Sequence, residues 1–133
     1  GNNEPESITI PEGITEIGEG AFRGNHLLKE VIISEGVKII GESAFEYCSQ
    51  LETVKVPKSI EEIKNLAFYA CNNLKKISLP RNFDNIGKGA FRKCRRLAKK
   101  GLIIVKNTLY DICWGEDAVI PEGTVKIDER AFY

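Results

Sequence analysis

Four Ala-Phe pairs, Ala21-Phe22, Ala44-Phe45, Ala67-Phe68 and Ala90-Phe91, recur at a fixed spacing of 23 residues. A fifth pair, Ala131-Phe132, stands 41 residues after the fourth, which is one period plus 18. Other apolar positions keep the same phase. One column reads Ile8, Val31, Val54 and Ile77, and the next reads Ile10, Ile33, Val56 and Leu79. These two columns lie two residues apart, so alternation puts both on one face of a short strand. Further columns are Ile14/Val37/Ile60/Phe83, Ile17/Ile40/Ile63/Ile86 and Leu28/Leu51/Leu74/Leu97. Each coil then carries about seven inward groups that cannot be buried alone, and stacked coils bury them as ladders. A period between 20 and 50 residues marks a solenoid. Such chains make extended binding surfaces more readily than enclosed catalytic pockets.

The phase predicts parallel strands near residues 8–10, 31–33, 54–56 and 77–79. Pro11, Pro57, Pro80 and Pro121 come just after strands, where a missing N–H is tolerated. Gly13, Gly36 and Gly123 permit the turn that comes next. Gly18, Gly41 and Gly87 precede the Ala-Phe segments, for which one or two helical turns are expected, giving an α/β repeat solenoid. The whole chain, 1–133, reads as one domain: regular repeats over 8–98, an insertion over 99–118 and a partial repeat over 119–133. Within the insertion, Leu102-Ile103-Ile104-Val105 and Leu109-Tyr110-Asp111-Ile112 flank a short polar link, the pattern of a β-hairpin. It is expected near residues 102–113, looped out from the solenoid.

The residues and their spacing, Ile-Pro-Glu-Gly-x-x-x-Ile-Gly-x-x-Ala-Phe-x-x-Cys-x-x-Leu, resemble the BspA-type (Treponema-type) leucine-rich repeat from Ile8 to Phe132. That resemblance implies a horseshoe with the parallel strands on its concave face. It also implies a bacterial cell-surface or secreted protein, hence an extracellular location, and a role in adhesion to host matrix proteins or to other bacteria.

Acids and bases balance at 19 each, so net charge suggests neither nucleic acid nor a membrane. No apolar run approaches the roughly 20 residues that span a bilayer. The charges are unevenly spread, with 9 acids and 3 bases in residues 1–50 and 4 acids and 13 bases in residues 51–100. Lys88, Arg92, Lys93, Arg95, Arg96, Lys99 and Lys100 form an acid-free run that an anionic partner could use. Few aromatics interleave with it, which argues against single-stranded nucleic acid.

Little here points to catalysis. Cys48, Cys71 and Cys94 share a column, where parallel side-chain vectors suit a disulfide poorly. With one His and no Cys-x-x-Cys, a tetrahedral zinc set is hard to assemble. Buried free thiols are the expectation, with Asn25 in the same column of the first repeat, and Cys113 is read as core or hairpin filler. Gly18-Glu19-Gly20 and Gly87-Lys88-Gly89 lack the third glycine of a nucleotide loop. His26 has no nucleophile or carboxylate at a recognisable motif spacing. Neither cofactor nor metal is expected, and the chain reads as non-enzymatic.

The outward strand positions carry the functional expectation. Thr9, Ile32, Lys55 and Ser78 form one exposed column, flanked by Ser7, Glu30, Thr53, Lys76 and Lys99. Unlike the inward ladders, both columns change chemistry from repeat to repeat. Glu30, Ile32, Thr53, Lys55, Lys76 and Ser78 are therefore the candidate protein-binding residues, with a spacer that presents another domain as the alternative. Beyond Phe132 the next Leu phrase is lacking, so either disorder after Ile127 or end-to-end self-association is expected.

Overall fold

A computed structural model describes residues 6–99, 101–112 and 119–132. Four strands, β1 (Ser7–Ile10), β3 (Glu30–Ile33), β5 (Thr53–Lys55) and β7 (Lys76–Ser78), pair in parallel in that order. Their registers step by 23 residues: Ile8 faces Val31, Val31 faces Val54 and Val54 faces Ile77. The strands begin one residue earlier than the phase suggested. A second ladder joins β2 (Glu16–Ile17), β4 (Ile39–Ile40) and β6 (Glu62–Ile63), and an isolated bridge from Ile63 to Ile86 extends it. The chain is thus a stack of coils.

The Ala-Phe segments are not helical. Among the described residues the one helix is a 3₁₀ turn over Arg95–Leu97, so the α/β expectation is corrected to a β-solenoid with turns. The reason lies in the backbone. In each of the four regular coils two positions four residues apart take positive φ: Gly20 and Gly24, Ser43 and Tyr47, Leu66 and Ala70, Gly89 and Lys93. An α-helix cannot run through such residues. Instead, the turns bond across coils: Gly20, Phe22 and Gly24 donate their N–H groups to the carbonyls of Glu42, Ala44 and Glu46 at 2.7–2.9 Å. The residues between them close local turns, such as Ala21 N to Gly18 O at 3.2 Å.

Packing is a product of this phase-locking. Phe45, Phe68 and Phe91 are fully buried, and with half-buried Phe22 they form one column of nearly parallel rings. The centroids step by 5.2, 5.2 and 5.5 Å. Leu28, Leu51 and Leu74, and Val31 and Val54, line the same core. Ile14, in the terminal coil, is exposed, unlike its counterparts Val37, Ile60 and Phe83.

The insertion is a hairpin of β8 (Leu102–Val105) and β9 (Thr108–Ile112), turned by Lys106 and Asn107 at φ 50° and 61°. Two successive left-handed residues are what a type I′ hairpin turn requires. The hairpin packs on the end of the stack and does not loop away from it. Ile103 and Tyr110 join the main core, and the Tyr110 ring meets Phe91 edge-on at 5.4 Å. A final strand, β10 (Lys126–Ile127), pairs in parallel with β9, Ile127 facing Leu109. Asp128 and Ala131 are buried, so the chain remains packed past Ile127. Cys113 and Trp114 lie outside the described residues.

Candidate functional site

Alternation along β1, β3, β5 and β7 sends one set of side chains into the core and the other outward. Val31, Ile33 and Val54 are buried, whereas their strand neighbours Glu30, Ile32 and Lys55 are exposed. Pairing then sets the outward residues in rows. Ser7, Glu30, Thr53 and Lys76 stand side by side across the sheet, as do Thr9, Ile32, Lys55 and Ser78. All six candidate residues therefore share one face, with Thr53 half-buried and the rest exposed. Glu30 organises the first row: Ser7 Oγ donates to Glu30 Oε1 at 3.0 Å and Thr53 Oγ1 donates to Oε2 at 3.5 Å. A shallow depression of about 260 Å³ between Glu30, Thr53, Lys55 and Lys76 lies over this row. Ile32, 36% exposed, offers an apolar contact beside the two lysines.

The basic run does not form one patch. Lys88 pairs with Glu129 at 3.1 Å, Arg96 lies 3.8 Å from Glu52, and Lys93 sits 5.8 Å from the centre of the Tyr69 ring. These groups engage three different neighbours, and Lys100 is not among the described residues.

Cys48, Cys71 and Cys94 are free and buried, as their column suggested. Each thiol donates to a carbonyl of the preceding coil: Cys48 Sγ to Phe22 O at 3.1 Å, Cys71 to Phe45 O at 3.1 Å and Cys94 to Phe68 O at 3.0 Å. Burial pushes the Cys48 thiol up to about 12, with its neighbour Cys71 adding to the effect. Burial also raises Cys71 well above the ordinary thiol value, with Cys94 contributing. Asn25, at the head of the column, accepts the N–H groups of Leu27 and Leu28 at 3.1 and 3.2 Å. This is a structural ladder of buried thiols, each bonded to the coil before it. Exposed His26 hydrogen-bonds Ser49 at 2.9 Å through Nδ1.

Two residues that carry no repeat signal matter at the far end. In the regular coils the N–H groups of Ser43 and Leu66 reach the carbonyls of Asn65 and Lys88. At the fourth coil the matching Gly89 N–H reaches the Asp128 carboxylate at 3.0 Å. The N–H groups of Tyr47 and Ala70 likewise reach Tyr69 and Arg92 carbonyls, and the matching Lys93 N–H reaches the Asp111 carboxylate at 2.9 Å. Both acids are at most 8% exposed.

With the coil geometry established, the family match is decisive: the BspA type leucine rich repeat model fits residues 2–113 in six copies. The chain belongs to this family. Solved structures share the fold. A leucine-rich repeat protein from Bacteroides ovatus is 35% identical over 69% of this chain, with a TM-score of 0.64. The leucine-rich repeat protein of Treponema pallidum is 30% identical over 68%, with a TM-score of 0.65. The pneumococcal vaccine antigen PcpA is 38% identical over 64%, with a TM-score of 0.61. The chain spans 24%, 45% and 21% of those proteins, respectively. Comparison with curated proteins gives no match. No helix of this BspA-type repeat domain, among the described residues, is long and apolar enough to cross a membrane.

Proposed function

We propose that this chain is a non-enzymatic protein-recognition module of a bacterial cell-surface or secreted protein, engaging its partner through the outward face of the β1–β3–β5–β7 sheet. One observation carries the reading. Inward columns repeat the same chemistry coil after coil, while the outward rows Ser7-Glu30-Thr53-Lys76 and Thr9-Ile32-Lys55-Ser78 change at every step. A partner would bury Ile32 and set its acids against Lys55 and Lys76. A horseshoe with the sheet on its concave side is supported by the aromatic column, which steps 5.2–5.5 Å on the turn side, against about 4.8 Å between hydrogen-bonded strands. The likeness to a pneumococcal vaccine antigen supports a surface location, and adhesion to host or matrix proteins is the role we propose for the module there.

A stiff spacer is the second reading, favoured by the continuous Phe stack. Pull-down from matrix extract with wild-type protein and with Lys55→Glu/Lys76→Glu separates the two. The recognition reading expects the double reversal to lose the captured protein at low salt and to differ little from wild type at high salt, because steering between exposed charges is screened. Identical capture by both proteins sinks the face assignment.

A further inference from the structure

We propose that the open edge of β7 accepts an extended acidic segment of a partner protein as a fifth strand of the sheet. The main ladder stops at β7. In earlier coils the incoming chain bonds the previous strand: Glu52 N reaches Lys29 O at 2.8 Å, and Lys75 N reaches Glu52 O at 2.9 Å. In the next coil the chain turns away. Ala98 N folds back to Arg95 O at 3.1 Å, and Lys99 and Leu102 exchange N–H···O bonds at 2.9 and 3.0 Å, launching β8. Among the described residues, no main-chain bond joins β7 to a later strand or turn. Lys76 and Ser78 turn their main-chain groups toward β5, so the alternation of a parallel ladder turns the N–H and C=O of Ile77 to the open side.

Where the fifth strand would lie there is a groove of about 490 Å³ between β7, residues 96–99 and β8. Among the described residues its charged lining is cationic: Lys75, Lys76, Arg96, Lys99 and Lys106, with no carboxylate. Some of this charge is already engaged. Glu52 takes Lys75 at 3.3 Å and Arg96 at 3.8 Å, and Lys106 Nζ donates to the carbonyls of Pro80 and Arg81. Lys76 and Lys99 are exposed and have no ion pair among the described residues. Half-buried Ile77, Leu79, Leu97 and Ile104 supply the apolar part.

Open ladder groups, apolar lining and unbalanced positive charge together specify the occupant. A glycan offers no alternating N–H and C=O to the strand, and a nucleic acid finds no aromatic platform among the lining residues. An extended peptide with apolar residues turned inward and acidic ones outward satisfies all three features, by strand addition. The groove lies at the sheet edge and shares Lys76 with the face proposed above, but its use does not depend on that face.

The probe is a fluorescent eight-residue peptide alternating glutamate and valine, followed by anisotropy with the intact chain. Two further versions carry N-methyl groups on the odd or on the even amides, because alternate amides of a strand point to opposite edges. The parent peptide should bind, and one methylated version should lose binding while the other keeps it. Arg96→Glu/Lys99→Glu should weaken the parent about tenfold or more, with folding checked by circular dichroism. Ile32→Asp, which disrupts the proposed face, should leave peptide binding unchanged. No binding at roughly millimolar peptide, equal behaviour of the two methylated versions, indifference to Arg96→Glu/Lys99→Glu, loss of peptide binding with Ile32→Asp, or tighter binding of a heparin-derived oligosaccharide would overturn the proposal.

Discussion

The Asp128 carboxylate accepts the Gly89 N–H at 3.0 Å, in the place where a regular coil would supply a carbonyl oxygen. A side chain thereby completes a main-chain ladder. Removing the acceptor strands a buried donor, which costs about 1–3 kcal/mol. Asp128→Ala should therefore lower stability by that amount in chemical denaturation. Asp128→Asn, which keeps an acceptor oxygen, should lose less. Equal stability of Asp128→Ala and wild type would show that the contact carries no weight.

The aromatic column predicts a gradient. Phe68→Ala opens a cavity between two stacked neighbours and should cost about 3–5 kcal/mol. Phe22→Ala, at the half-buried head of the column, should cost clearly less. The order, measured by denaturant midpoints, is the test, and an inverted order contradicts the column.

The thiols give stability a pH dependence. Unfolded Cys48 ionises near 9.0, whereas in the folded chain it stays protonated up to about 12. Between those values the unfolded state binds fewer protons, so stability falls as pH rises. The contribution is complete below about pH 9 and drains away toward pH 12, with raised Cys71 adding in the same direction. Native protein should also react slowly with thiol reagents at Cys48, Cys71 and Cys94, and quickly once denatured. Rapid labelling of the three thiols in the native state would contradict their burial.

Internal comparison locates a stabilising change. Gly20, Ser43, Leu66 and Gly89 occupy equivalent positions at φ 57–65°. A non-glycine residue there costs roughly 1–2 kcal/mol, partly offset by the lower chain entropy it brings to the unfolded state. Ser43→Gly should therefore raise stability by about 0.5–1 kcal/mol, read as a higher melting temperature. A lower melting temperature would mean that the Ser43 side chain contributes more than its backbone costs.

Repetition explains both the features the sequence disclosed and those it hid. The ladders, the Phe column, the thiol column and the outward rows were legible because each residue type recurs in phase, and a wrong register would break every copy at once. The turn geometry was not legible. Left-handed residues such as Tyr47, Leu66 and Ala70 have no glycine to announce them, so the Ala-Phe segments read as helical. Asp111, Asp128 and the open edge of β7 were hidden for a different reason. Each occurs once and acquires its role from a neighbour far along the chain, a relation that no period records. Which strand positions point outward was legible because alternation alone decides it.

The pairing of Leu109 with Ile127 has a wider consequence. Those residues are 18 apart, yet Asp128 N reaches Leu109 O at 2.8 Å just as Gly41 N reaches Ile17 O at 2.8 Å across a 23-residue step. What the stack conserves is therefore the bonding phase at each crossing, while the length of chain between crossings is free to vary. Segments of unequal length can be spliced in or out at such junctions without displacing anything downstream, so an architecture of this kind can be resized one coil at a time.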